Sequence, residues 1–426
     1  MSSLNLKDAL ASAPAERRAF VWSFLYFFCL IAGYYVLRAL REEMGVRFGV
    51  GRIQWLFTAT FVSMLVLVPV YGALVSRFAR RRLVPIVYSF FAVCLIAFHL
   101  LLETPTWGAL LAPVFFVWLS VYNLFVVSMF WSFMADVWLA DQAKRFYAPI
   151  AAAGSIGGIV GPFLTQLLVD DIGIANLFLI SAGLLIVCLI SVQQLLPQVR
   201  ASVALRGERN ADEAIGGSWW AGARLVVSRR LLLGIAGVMM LGVLVGTLLY
   251  VQQLKIVDSM GWTSEQRVAF FSRLDLAVNL LALLVQVFIA RWVSVRYGTA
   301  IALLVPATLM ILGMLSLAFL PIWAVLTTVQ VASRAGRFSM LEPGIASLYT
   351  MVDSETRYKA KSFIDTVVYR GSDAGSAWLS RALTDLGAAL SNIAWIGVAA
   401  AASLALLVRY LGRRHEAAIR DSRTSL

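Results

Sequence analysis

The residues able to do chemistry in this 426-residue chain are concentrated between positions 332 and 375, where charged side chains recur inside an otherwise apolar region. Lys361 and Asp365 are four residues apart, and Arg370 and Asp373 are three apart, so each pair can share one helical face. An ionisable group at the centre of a bilayer costs roughly 2.5 to 3.5 kcal/mol, so several together are expected to line a watery or protein-walled path. The stretch predicts a polar pathway through a membrane.

Basic residues exceed acidic ones along this pathway, which suits an anionic ligand because guanidinium groups match carboxylate and phosphate geometry. The residues expected to attract and hold it are Arg38, Arg273, Arg334, Arg337, Lys359, Lys361 and Arg370. The carboxylates expected to pair with them, or to change protonation during transport, are Asp275, Glu342, Asp365 and Asp373. A structural alternative stays open, in which these side chains only neutralise neighbours, as Glu42 would neutralise Arg38.

Composition predicts the elements that must position these residues. The chain is 61% hydrophobic and 14% charged, with a mean hydropathy of +0.83, which is typical of polytopic membrane proteins. At about 20 apolar residues per span, twelve spans are predicted, and they start near Ala19, Trp55, Leu83, Gly108, Phe146, Gly173, Leu231, Arg267, Thr299, Ile322, Arg357 and Leu386.

Charge in the loops predicts the orientation of the spans. Lys and Arg are concentrated in the loops after the even-numbered spans, which places those loops and both termini in the cytoplasm. No cleavable signal-peptide pattern is expected at the N-terminus. The formal net charge of +13 lies mainly on this side, where anionic headgroups attract it, so nucleic-acid binding is not predicted. We expect a multi-pass protein of a bacterial inner (plasma) membrane.

An internal repeat predicts two related halves. The sequence DQAKRF at 141–146 recurs 212 residues later as DSETRY, and GSIGG at 154–158 recurs 217 residues later as GSDAG. We therefore predict an all-α membrane protein with twelve transmembrane helices in two pseudo-symmetric six-helix halves, an arrangement that surrounds a midplane site. The predicted division is an N-terminal bundle, a cytoplasmic linker, a C-terminal bundle and a cytoplasmic tail, at residues 1–196, 197–230, 231–412 and 413–426.

The motifs of common enzyme and metal sites are not found in the sequence. There is no phosphate-binding Gly-Lys-Ser/Thr loop and no Gly-x-Ser-x-Gly element. Cys29, Cys94 and Cys188 lie in apolar spans at unrelated spacings, which predicts buried free thiols. We expect no enzymatic activity, no cofactor and no metal. The expected partners are membrane lipids and a small anionic substrate.

The loop after the second predicted span resembles a signature of major facilitator transporters. It reads GALVSRFARRR at residues 72–82, with Ser76 and Ala79 where that signature has an acidic residue and a glycine. The resemblance implies a major facilitator-like fold for the chain.

Longer segments resemble the ATP/ADP translocase-type nucleotide transporters of plastids and intracellular bacteria. RFSMLEPGIASLYTMVD at 337–353 and KAKSFIDTVVYR at 359–370 match that family's segments around its Asp-Pro and Lys-Gly-Lys motifs. Shorter matches are YYVLR at 34–38, SMFWSF at 128–133 and AKRFY at 143–147. The chain is identified as a divergent bacterial member, major facilitator-like, which implies nucleotide transport with Lys359 and Lys361 at the family's lysine positions.

Several charged positions of that family are neutral in this chain. The residues at the places of its span 2 lysine, span 4 glutamate and span 7 glutamate are Phe57, Leu119 and Tyr250, and Glu342-Pro343 replaces Asp-Pro.

We therefore expect a secondary active transporter that moves a nucleotide or similar organic anion by alternating access, with exchange and proton symport both open. The first alternative is a major facilitator efflux or uptake carrier for an unrelated amphipathic small molecule. The second is a membrane enzyme or a lipid-handling scaffold. The sequence predicts neither the direction of transport nor the oligomeric state.

Overall fold

The computed structural model describes residues 14–78, 80–102, 104, 107–206 and 219–424, and within them every regular element is helical. The first four helices are α1 (Pro14–Phe48), α2 (Ile53–Arg77), α3 (Arg80–Leu102) and α4 (Gly108–Val137). The next element, Ala140–Arg206, is kinked at Gly173, which has φ +76°, and we call its two arms α5 (140–172) and α6 (174–206). Glycine adopts this left-handed backbone readily because it has no Cβ.

The remaining helices follow a short helix at Trp219–Ser228, here called the linker helix. They are α7 (Arg230–Ser259), α8 (264–297), α9 (299–319), α10 (323–351), α11 (354–385) and α12 (Leu390–Thr424). A second kink at Gly298, with φ +85°, separates α8 from α9. Three of these helices contain π-helical segments, at Val285–Ala290 in α8, Arg337–Leu341 in α10 and Ile364–Val368 in α11.

Among the described residues, eight helical stretches are long and apolar enough to cross a membrane. Two of them, of 62 and 56 residues, contain the kinks at Gly173 and Gly298, so each provides two crossings. α10 and α11 are not among the eight, because they carry the charged residues of the predicted pathway. With these two, the described helices account for twelve spans, and the predicted all-α polytopic fold is confirmed.

The chain forms two compact units. Of the described residues, unit 1 contains those within Met1–Phe48, Val66–Ile215 and Trp262–Leu276, and unit 2 contains those within Gly49–Leu65, Gly216–Gly261 and Ala277–Leu426. The predicted domain boundaries at 196, 230 and 412 stay a prediction. Residues 207–218 of the predicted linker lie outside the described residues.

In unit 1, glycines allow α5 to pack closely against α1. A Cβ at Gly157 would lie 2.5 Å from the carbonyl oxygen of Phe28, and one at Gly161 would lie 2.5 Å from the carbonyl oxygen of Ala32. These are backbone atoms that cannot move aside, so only glycine fits at either position. The small-residue face expected for close helix contact in membranes is therefore present on α5.

In unit 2, the buried apolar core joins α7, α9, α10 and α12, with Leu303, Met310 and Leu404 among its buried members. The linker helix packs on the first turns of α11, because Gly222 lies against the carbonyl oxygen of Lys359. These contacts hold in place the helices that carry the charged residues of the predicted pathway.

Candidate functional site

The charged residues of α10 and α11 meet around π-helical segments in unit 2. Arg337 begins the π segment of α10, and Asp365 lies within that of α11. A π-helical turn adds one residue to a helix and is frequent at functional sites because it re-aims the side chains around it. We call Arg337, Glu342, Lys361, Asp365, Arg370 and Asp373 the α10–α11 cluster.

Tyr369 lies at the centre of this cluster. The guanidinium carbons of Arg337 and Arg370 lie 5.1 and 5.2 Å from the centroid of its ring. Both distances are within the range of attraction between a cation and an aromatic face. One tyrosine thus holds two arginines, one from α10 and one from α11.

Carboxylates accompany both arginines. Arg337 Nε donates to Glu342 Oε1 at 3.0 Å, and Arg370 Nη1 lies 3.4 Å from Asp373 Oδ2. The other oxygen of Asp373 accepts a hydrogen bond of 3.0 Å from the hydroxyl of Thr247, which ties α11 to α7. The charges of Glu342 and Asp373 both act on Arg337. The cluster is therefore one connected network rather than separate pairs.

Lys361 and Asp365 occupy its exposed side. Both side chains are exposed, and the charges of Lys361 and Glu342 act on Asp365. Two further predicted residues lie nearby in sequence: Arg334, half-buried one turn before the π segment of α10, and Lys359, half-buried near the start of α11. The structure thus brings six predicted residues into one network within unit 2.

The other predicted residues belong to unit 1. Arg38 Nε of α1 lies 3.3 Å from Asp275 Oδ2 of α8, and the Asp275 side chain is only 4% exposed. The predicted local partner of Arg38, Glu42, instead contacts Arg41 at 3.4 Å. Arg273 is exposed on α8. The structure gives Arg38 a partner on another helix, which its position in the sequence did not indicate.

A second ion-pair group on the same two helices was missed by the sequence analysis. Glu43 of α1 is fully buried and accepts hydrogen bonds from Arg47, at 3.0 Å, and from Nε and Nη2 of Arg267, the latter at 2.8 Å. We call Arg38, Glu43, Arg47, Arg267 and Asp275 the α1–α8 ion-pair network. The four-residue spacing of Glu43 and Arg47 was a visible signal for half of it, whereas nothing in the sequence pointed to Arg267.

Metal chemistry has no evident site in the part of the chain that the structure describes. No group of three His, Cys, Asp or Glu side chains is arranged there to hold a metal ion. Cys29 and Cys188 are buried free thiols, and Cys94 is half-buried.

Comparisons with known proteins agree with this architecture. The family model described as Major Facilitator Superfamily matches residues 19–372, so the chain belongs to that superfamily. It is a polytopic membrane transporter and not an enzyme, consistent with a bacterial inner membrane. No curated protein matches the sequence. The narrower resemblance to nucleotide translocases and the orientation of the termini remain predictions.

Solved structures of transporters superpose on nearly the whole chain. A bacterial homologue of the iron transporter ferroportin, in an inward-facing state, has 13% sequence identity and a TM-score of 0.64, covering 93% of this chain and 98% of that one. The human organic anion transporter MFSD10 has 17% identity and a TM-score of 0.60, covering 94% and 100%. A point mutant of the nucleoside transporter NupG has 14% identity and a TM-score of 0.58, covering 93% and 99%. Identities this low show the fold alone.

Proposed function

We propose that this transporter carries a nucleotide or a similar phosphorylated or carboxylated organic anion across the inner membrane by alternating access. The observation that carries the proposal is the pair of arginines on Tyr369. Arg337 and Arg370 lie on different helices and face one ring, and Lys and Arg outnumber Asp and Glu along the whole of α10 and α11. Such a pair suits a ligand that presents several negatively charged oxygens.

The contacts within the cluster leave these arginines able to bind a ligand. A guanidinium has five N–H donors, and the contacts of Arg337 with Glu342 and of Arg370 with Asp373 each engage one nitrogen. The Arg370 contact is long, at 3.4 Å. A phosphate oxygen can therefore hydrogen-bond to either arginine while its carboxylate partner stays in place or is displaced.

Exposure of the cluster supports a path open to water. The Glu342 side chain is 44% exposed, and Lys361 and Asp365 are exposed within the same pair of helices. Charged side chains in a membrane-spanning helix are costly when they face hydrocarbon, so they are expected to face water or a substrate. In our proposal Lys361 attracts the anion and the two arginines hold it.

The cluster offers two ways to couple transport. Counter-exchange of anions requires no titrating group, since the leaving anion replaces the entering one on the arginines. Proton symport requires a carboxylate to bind a proton in one state, and Asp365 is the candidate because its side chain is exposed and lies within reach of the charges of Lys361 and Glu342. The two mechanisms differ in their response to a pH gradient.

The test is uptake of labelled nucleotides by proteoliposomes containing the purified protein. We expect uptake of ATP, ADP or another phosphorylated anion, stimulated either by internal anion or by a pH gradient. Arg337→Gln should abolish it, whereas Lys144→Gln, which changes an exposed pair with Asp141 in the first turns of α5, should not. Absence of uptake for every phosphorylated and carboxylated anion tested would overturn the proposed substrate class.

A second candidate, a carrier for an unrelated amphipathic molecule, is favoured by one observation. Phe57 and Tyr250 stand where the nucleotide transporters have charged residues, and in unit 2 their rings meet edge to face at 5.7 Å. An aromatic pair suits a less charged substrate. A growth-sensitivity screen of a deletion strain tests this candidate, and Arg337→Gln should leave transport of an uncharged compound intact.

A further inference from the structure

The cytoplasmic end predicted for α8 carries a groove of about 550 Å³ that the transport site does not use. It is lined by Val287, Phe288, Arg291, Trp292, Val295 and Arg296. Phe288 and Val295 are 70% and 81% exposed. Large apolar side chains and two arginines therefore share one groove, and its six lining residues include no carboxylate.

Local geometry holds this groove in a defined shape. The π segment Val285–Ala290 comes directly before the arginines, and the helix ends at the Gly298 kink. A carboxylate oxygen of Glu416, on α12, accepts a hydrogen bond of 2.9 Å from the backbone N–H of Ala300 just after the kink. The carboxylate also occupies the space that a side chain at position 298 would need. The Gly298 kink, which follows the groove, is thus anchored to α12.

Aromatic residues place the groove at the level of the membrane interface. The ring of Trp292 meets that of Tyr297 edge to face at 5.3 Å, and the guanidinium of Arg296 lies 5.9 Å from the Tyr297 ring. Trp and Tyr are enriched where lipid headgroups meet hydrocarbon. The predicted orientation puts this end on the cytoplasmic side, where anionic lipids attract basic groups.

We propose that the groove binds an anionic phospholipid, with the phosphodiester between Arg291 and Arg296 and an acyl chain along Phe288 and Val287. Charge complementarity favours this occupant, because the lining has two arginines and no carboxylate and therefore suits an anion. The apolar side chains beside the arginines suit a hydrocarbon chain attached to that anion. A phosphatidylglycerol-type headgroup meets both requirements. A free phosphate or nucleotide meets only the first.

The test is lipid retention by the full-length protein, measured by native mass spectrometry after reconstitution with equal amounts of phosphatidylglycerol and phosphatidylcholine. We expect the unaltered protein to retain phosphatidylglycerol preferentially. The double variant Arg291→Gln/Arg296→Gln should lose roughly tenfold or more of this retention. The matched control Arg81→Gln/Arg82→Gln removes the same charge from two exposed residues in the first turn of α3 and should retain the lipid.

Each of four outcomes would overturn the proposal. Equal retention by the two double variants would show that the binding depends on total charge, and equal retention of both lipids by the unaltered protein would show no selectivity. Displacement of the lipid by millimolar glycerol phosphate would assign the groove to a soluble phosphate. If the arginine variant does not fold, Trp292→Ala replaces it, and unchanged phosphatidylglycerol retention in that variant contradicts the proposal. Transport assays play no part in this test, so its result is independent of the proposed substrate.

Discussion

The α1–α8 ion-pair network and the α10–α11 cluster use the same residue types in different surroundings. In the first, Glu43 is fully buried and is shared by two arginines, and the Asp275 side chain is 4% exposed. In the second, Glu342 is 44% exposed and two arginines lie on one tyrosine ring. Arginine and carboxylate side chains thus form a closed contact in the α1–α8 ion-pair network and a contact with an accessible carboxylate in the α10–α11 cluster.

This contrast separates structural charges from binding charges within one membrane transporter. A buried carboxylate that is already saturated by donors from two helices has little capacity left for a ligand, and its loss leaves charges unpaired. The Arg337 and Arg370 side chains are 17% and 24% exposed, and each has one carboxylate partner, which for Arg337 is the accessible Glu342, so less is lost when that partner is exchanged. We therefore assign transport to the α10–α11 cluster and helix attachment to the α1–α8 network, and the following substitutions test that assignment.

The largest effect is expected for Arg337→Gln. This change removes a cation that contacts both Glu342 and the Tyr369 ring, and it leaves Arg370 alone to hold the substrate. Anion uptake by proteoliposomes should fall about a hundredfold or more, as one charge-assisted contact of about 3 kcal/mol would require. Arg337→Lys should not restore uptake, because an ammonium is a point charge without the fork geometry.

Normal uptake by Arg337→Gln with the same protein content would remove Arg337 from the substrate site. The α10–α11 cluster would then be structural, as the α1–α8 network is.

The next effect is loss of stability in Glu43→Gln. Removing the buried carboxylate leaves Arg267, 16% exposed, and the more exposed Arg47 without their shared counter-ion. Breaking a buried ion pair typically costs about 3–5 kcal/mol, so the melting temperature in detergent should drop by several degrees. Asp141→Asn, at an exposed pair in the first turns of α5, serves as the control and should melt as the unaltered protein does.

A double-mutant cycle sharpens this result. Adding Arg267→Gln to Glu43→Gln should destabilise the protein less than the two single changes predict, because the second change removes a charge left unpaired by the first. Additive effects would mean that the two side chains do not act on each other, contrary to the contacts seen.

A smaller effect is expected for Lys361→Gln. Lys361 is exposed, so its loss should weaken attraction of the anion without disturbing the fold. We expect the KM for the transported anion to rise roughly tenfold, or about 1.4 kcal/mol, with an unchanged amount of folded protein. Loss of folded protein would instead assign Lys361 to a structural pairing with Asp365.

The sequence predicted the fold more completely than the site, for physical reasons. Ten of the twelve spans lie in stretches that are long and apolar enough to cross a membrane, because the bilayer sets the length of an apolar helix. The spacing of Arg370 and Asp373 predicted their contact, since it lies within one helical turn. The same rule failed for Arg38, whose partner Asp275 is far away in the sequence and becomes its neighbour only through packing.

Other parts of the site also depend on packing and were not predicted. The role of Tyr369 is not visible in the sequence, because a tyrosine in a span is more often an ordinary packing residue than a support for arginines. The π segments were missed because a one-residue insertion leaves no clear mark in hydropathy. The spacing of Glu43 and Arg47 allowed an ion pair between them, but only packing shows that Arg267 of α8 binds the same carboxylate.

The smallest effect is expected at Asp353, which begins the helix carrying half of the cluster. Its side chain accepts a hydrogen bond of 2.9 Å from the backbone N–H of Thr356 and lies 3.2 Å from Arg229. The bond from Thr356 is the main reason that the pKa of Asp353 is lowered to about 2 from its usual 3.8. Because the folded state lowers the pKa, the cap stabilises α11 fully above about pH 4, and the stabilisation is lost as the pH falls from about 4 towards 2.

Asp353→Ala should therefore speed amide hydrogen exchange in residues 354–358 by a few-fold at neutral pH while leaving uptake nearly unchanged, since capping acts mainly on the first turn. Asp141, at the matching place of the repeat, provides the control: its pKa is lowered chiefly by a hydrogen bond from the exposed Lys144 side chain. Asp141→Ala should leave exchange at the start of α11 unchanged. A large loss of uptake in Asp353→Ala would show that the position of α11 depends on this cap, and the cluster would then be held less firmly by Tyr369 and Thr247 than the contacts indicate.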